Sequence, residues 1–170
     1  MKSGKNKNLF RIRLLTSVFI FCLVVSGITA FPLVLETGLL VRWFGETTYM
    51  GKIFPELSSW LTFIHEGIRH SEEHYPFMAY GTDWLAFAHI AVAVFFIGVV
   101  IDPVRNIWVV KAGMVACILV PVLAFTCGPI RGIPVIWCIL DSSFGILGLV
   151  PLVFICRWAK QLEKEGRMTS

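Results

Sequence analysis

The sequence predicts an all-α integral membrane protein: four transmembrane helices in an antiparallel bundle, plus one amphipathic helix in the outer loop between spans one and two. Three observations predict it. The 170 residues are 56% hydrophobic and 15% charged, with a mean hydropathy of +0.76, whereas a soluble domain carries about a quarter charged residues. The charges leave four apolar runs long enough to cross a bilayer, which takes about 20 helical residues. The basic residues are shared unequally between the segments that separate those runs.

The runs come in order along a single membrane domain, 1–170. Residues 14–35 contain no charge, and Lys2, Lys5, Lys7, Arg11 and Arg13 precede them. A basic start, an apolar middle and a small residue at Ala30 also fit a cleavable signal sequence. Ile28 is bulky where a small residue is wanted, and the apolar run continues past Ala30, so this segment is expected to stay as an uncleaved span. Residues 84–101 and 112–130 are uncharged, with Lys111 at the foot of the latter. Residues 132–156 carry one charge, Asp141. Pro121 and Pro151 fall inside the third and fourth runs, where lipid-embedded helices tolerate them as kinks. The short turns at 102–106 (DPVRN) and 128–134 (GPIRGIP) make spans two, three and four antiparallel neighbours.

Charge sets the orientation. The five amino-terminal cations join Arg105, Lys111, Arg157, Lys160, Lys164 and Arg167 on one side; Arg42, Lys52, Arg69 and Arg131 lie on the other. Eleven against four places both termini in the cytoplasm of a multi-pass protein of the cell membrane, with the loop 36–83 outside. Glu36, Glu46, Glu56, Glu66, Glu72, Glu73 and Asp83 gather in that loop. The net charge of +4 therefore describes anchoring at the inner leaflet, and no nucleic-acid partner is expected.

Within the loop, Pro55 suits a first helical position, and Leu57, Trp60, Leu61, Ile64 and Ile68 follow at helical spacing. Tyr75–Pro76 ends the pattern. Residues 55–74 are thus expected to form an amphipathic helix on the outer surface of the membrane or bundle. Trp43, Phe44, Trp60, Trp84 and Trp108 sit where amphipathic rings favour a membrane interface.

Two groups of residues could carry chemistry. Glu66, His70, Glu73 and His74 lie opposite the apolar stripe of the loop helix, with His70 and His74 four apart. Two imidazoles and two carboxylates on one face could ligate a divalent metal, although the spacing is not that of the paired-histidine zinc enzymes. The bland reading is a solvated helix face. The second group is intramembrane: His89 in span two and Asp141 in span four, both in the outer half, with Arg131 in the turn before span four. Ionisable side chains are costly in a bilayer, so they are expected to face inward and pair, with Ser142 and Ser143 as further partners. Here the bland reading is a polar clasp between helices. Gly145 and Gly148 are small residues suited to close helix contact, within the chain or in a dimer. The five cysteines lack CxxC spacing and read as small packing residues; Cys127 and Cys138 both lie toward the outer side, where they could pair.

No complete catalytic constellation emerges, and the leading expectation is a non-catalytic accessory protein or subunit of a membrane complex. Its partners would be the lipid bilayer and a larger membrane protein, or a second copy of itself. An alternative is an oligomeric proton- or ion-coupled small transporter, with His89 and Asp141 as relay and Gly145 and Gly148 as contact face. A third is a haem or quinone redox protein, although His89 is the only intramembrane histidine and would need a partner such as Met78. A fourth is a metal-dependent enzyme or sensor working through His70 and His74. YPFMAYGTDW (75–84) and DPVRNIW (102–108) mix Gly, Pro, Trp and charge but match no known function.

Overall fold

The computed structural model describes residues 2–167. The described residues are helical, with no strand: α1 Lys2–Thr29, α2 Leu33–Phe44, α3 Tyr49–Ile53, α4 Pro55–His74, a 3-10 turn Pro76–Met78, α5 Ala79–Ile101, α6 Ile107–Ile130 and α7 Val135–Arg167. Four stretches are long and apolar enough to cross a membrane: Asn6–Thr29, Pro76–Ile101, Ile107–Ile130 and Val135–Gly166. The chain forms two compact units. One comprises the chain up to Leu23 and from Ala91 on; the other is Val24–Ile90.

In the first unit, the core joins α1, the second half of α5, α6 and the carboxyl half of α7. Ile12, Phe96, Val99, Val110, Leu152, Ile155 and Ala159 are all but inaccessible to solvent. Phe19 lies against Phe96 with ring centroids 4.8 Å apart. Polar contacts close the end of this core: the Arg13 guanidinium donates to the Val100 carbonyl (3.0 Å), and Arg11 lies over the Trp158 ring at 5.7 Å. Helices α6 and α7 pack against each other. Pro121 has no N–H, so the Cys117 carbonyl loses its helical donor. Gly145 of α7 sits against that carbonyl; a Cβ there would come 2.5 Å from the oxygen. Close approach of a glycine Cα–H to a carbonyl offsets part of the lost bond. Gly148 meets the Cys117 sulfur one turn on. Both glycines thus serve contact within the chain, which leaves the dimer use of that face without support from this geometry.

The turns of this unit account for DPVRN and GPIRGIP. Asp102 Oδ1 accepts from the backbone N–H groups of Val104 (3.1 Å) and Arg105 (3.0 Å). Asn106 Nδ2 donates to the carbonyls of Gly98 (2.9 Å) and Asp102 (3.0 Å), each of which also accepts a backbone N–H, from Asp102 and Asn106 respectively. Gly98 gives Asn106 the space to do so. DPVRN is therefore a self-capped turn. After α6, Gly132 adopts φ +69°, and the N–H groups of Gly132 and Ile133 return to the carbonyls of Pro129 and Gly128. That is a Schellman ending, which explains glycine at 132.

In the second unit, α2 packs on α4. Helix α4 covers 55–74 and buries Ser58 and Leu61, with Leu57, Ile64, His65 and Ile68 half-buried along the same stripe. Thr48 caps α3, its side chain accepting from the Gly51 N–H at 3.0 Å. A Cβ on Gly51 would run into the Gly45 carbonyl and stand 3.0 Å from Ser58 Oγ.

The helix limits differ from the sequence expectation in ways that have local causes. The apolar run 14–35 is divided: α1 ends at Thr29 and α2 starts at Leu33. Pro32 cannot donate to Ile28 and disfavours helical geometry at Phe31. Helix α6 begins at Ile107, four residues ahead of Lys111, because a lysine stem lies along an apolar face without breaking a helix. Helix α7 runs to Arg167, well past Cys156, since its carboxyl part is made of good helix formers and buries Ala159 and Leu162 on the core. All five thiols are free, Cys127 and Cys138 among them; Cys138 packs against Gly128.

Candidate functional site

His89 belongs to the Val24–Ile90 unit and Asp141 to the other. His89 sits half-buried on α5, and its Nδ1 lies 2.9 Å from the Leu85 carbonyl. A carbonyl only accepts, so Nδ1 carries the proton and Nε2 is the nitrogen left for other chemistry. Asp141 is half-buried on α7. Within its own unit it has no hydrogen bond or ion pair among the described residues, Arg131 included. Arg131 is exposed and closes α6 through its backbone N–H, which meets the Cys127 and Gly128 carbonyls at 3.1 and 3.0 Å.

Three hydroxyls of the spans follow the same pattern as His89. Ser142 Oγ donates to the Cys138 carbonyl (2.7 Å), Ser143 Oγ to Leu140 (2.6 Å) and Thr126 Oγ1 to Val122 (2.7 Å). Each bond returns to the side chain's own helix. Among the described residues, Thr16 Oγ1, fully buried on α1, has no hydrogen-bond partner.

On α4, the rings of His70 and His74 are 4.1 Å apart, and His74 Nδ1 donates to the His70 carbonyl at 2.9 Å. Glu73 lies 3.9 Å from Arg69, both exposed. Among the described residues no three His, Cys, Asp or Glu side chains converge as metal ligands would, so Glu66 and Glu73 do not join the two imidazoles in one cluster. Met78 Sδ lies 3.6 Å from Ser71 Oγ, on the turn after α4.

Two arrangements were not anticipated. One joins α2 to α4: Thr37 Oγ1 stands 2.9 Å from His65 Nδ1 and 2.7 Å from the Leu33 carbonyl. The single hydroxyl proton goes to the carbonyl, so His65 Nδ1 donates to Thr37. Gly38 lies against the same ring, where a Cβ would be 3.2 Å from Cε1. Beside Thr37, burial raises the Glu36 carboxyl above its ordinary value of 4.5. The signal that could have found this contact is Pro32 followed by apolar residues at helical spacing up to Gly45, the mark of a separate helix. The other is an open cleft of about 320 Å³ lined by Phe31, Tyr80, Asp83, Trp84 and Phe87. Its signal was the spacing in YGTDWLAF, which puts 80, 84 and 87 on one helix face.

No family model, curated protein or solved structure matches this chain.

Proposed function

We propose that the chain is a multi-pass protein of the cell membrane that serves as a non-catalytic accessory protein or subunit of a larger membrane complex. In this reading the four apolar helices form an antiparallel bundle with both termini in the cytoplasm, and α4 lies as an amphipathic helix on the outer surface. The observation that carries the functional part is how the spans use their polar side chains. His89, Thr126, Ser142 and Ser143 each bond a carbonyl of their own helix, which stabilises helices and builds no chain of proton carriers. The eleven-to-four division of basic residues supports the orientation.

Two measurements test this. In a cysteine-free background, a membrane-impermeant thiol reagent applied from outside should label a cysteine at Ser59 and spare one at Gln161; labelling at Gln161 alone reverses the topology. In mildly solubilised membranes the protein should migrate with a larger complex, and migration as a free 19.1 kDa chain at every detergent level defeats the subunit reading.

Asp141 favours a second reading, the ion-coupled transporter. A half-buried carboxylate within a span and without a partner in its own unit is costly unless it serves a transported ion or proton. Pairing with His89 would make the costs of His89→Ala and Asp141→Asn overlap, the double variant losing less stability than the two added together. Additive losses exclude the pair.

A further inference from the structure

The motif YPFMAYGTDW opens α5, and the cleft it forms with Phe31 has one charged residue, Asp83, amid four aromatic rings. The rings form an edge-to-face ladder: Tyr80 and Trp84 are 6.1 Å apart at 80°, Trp84 and Phe87 5.9 Å apart at 88°. Among the described residues of its unit, Asp83 has no hydrogen bond or ion pair. Aromatic faces and a carboxylate attract the same kind of ligand, a cation. A primary ammonium has three protons to satisfy, and the cleft offers it little beyond Asp83 and the Tyr80 hydroxyl. A quaternary ammonium has none, and its methyl groups pack on the rings.

We propose that this cleft binds the quaternary ammonium headgroup of a choline-type membrane lipid. The volume of about 320 Å³ lies within the range of small-ligand pockets. The source follows from position. The cleft stands at the start of the apolar stretch Pro76–Ile101, and Tyr and Trp at the end of a span sit at headgroup level. The proposal rests on α5 being a membrane span.

The test uses the full-length protein in a maltoside detergent, examined by native mass spectrometry. Phosphatidylcholine and phosphatidylglycerol with identical acyl chains are offered, and tetramethylammonium is the soluble probe. Phosphatidylcholine should be retained about tenfold better, as expected for a cation shared by two or more rings. Tetramethylammonium should compete with it only weakly. Asp83→Asn and Trp84→Ala should each abolish most of the preference, and Asp83→Glu should keep it, with circular dichroism verifying that every variant is helical. Equal retention of the two lipids overturns the proposal, as does an undiminished preference in Asp83→Asn. Tetramethylammonium binding that depends on Asp83, with no lipid retained, overturns the lipid source. Failure of the membrane reading itself shows separately, as protein recovered from the soluble fraction of cells.

Discussion

The two units are held together by different means. The unit built on α6 and α7 buries Phe96, Ile12, Leu152, Ile155, Val99 and Val110. In Val24–Ile90 the buried positions are Gly27, Thr37, Gly45, Gly51, Ser58, Leu61 and Ala86, of which only Leu61 is large and apolar. Aliphatic bulk shapes the first; backbone proximity and hydrogen bonds shape the second. Where lipid solvates apolar side chains as well as protein does, burying them specifies little, and small residues that let backbones meet specify more. The Val24–Ile90 unit should therefore be sensitive to added atoms and lost hydrogen bonds rather than to lost volume.

The largest expected effect lies in the first unit, at one of the places where it too depends on a glycine. Gly145→Leu puts side-chain atoms against the Cys117 carbonyl and Val120 and should cost about 3 kcal/mol, read as a lowered midpoint of unfolding in denaturing detergent. Gly51→Val meets the Gly45 carbonyl and should cost about 2 kcal/mol. Amide hydrogen exchange should rise in α2, α3 and α4 while α6 and α7 stay protected; uniform exchange through both units would erase the distinction. Thr37→Val removes the acceptor of the His65 Nδ1–H and should cost about 1 kcal/mol, again local to α2 and α4.

The smallest effect is pH-dependent. Glu36 is raised by burial above its ordinary 4.5, so the folded chain holds this proton more tightly than the unfolded one. The group favours the fold fully below 4.5, and that contribution is lost as pH rises from there through the raised value. Thermal melts of the wild type on either side of 4.5 should show the loss, and Glu36→Gln should flatten it. The change is small because the carboxyl is partly in solvent. A wild type whose stability rises through this range would show that Glu36 is stabilised as an anion instead.

The four long apolar helices were legible because each needs only composition and length, and the limits of α4 because a proline opens it and Tyr75–Pro76 closes it. Helices α2 and α3 were not. Leu33 and Val34 extend the apolar run of α1 without interruption, and only the missing N–H of Pro32 marks the break. With α2 unseen, the sequence offers no visible partner for His65, the donor to Thr37. The candidate metal face shows what helical spacing leaves open. A helical wheel puts Glu66, His70, Glu73 and His74 together, but rotamers decide convergence, and Glu73 turns to Arg69 while His74 turns to the backbone. The turn at 102–106 is legible as a turn, but the use of its side chains is not: Asp102 and Asn106 bond the backbone of the turn and of the end of α5.

The length of α7 has a mechanical consequence. Its 33 residues span about 50 Å at 1.5 Å per residue, against a hydrocarbon layer of about 30 Å. If the apolar part fills the bilayer, the stretch 157–167 stands some 15 Å clear of it as a rigid post. That post is braced, with Ala159 and Leu162 buried and Gln161 accepting from Asn8 of α1 at 3.3 Å. A domain fused in helical phase to this post would inherit its orientation as well as its position. Rotation of α7 within the membrane would then be transmitted outward like the turning of an axle.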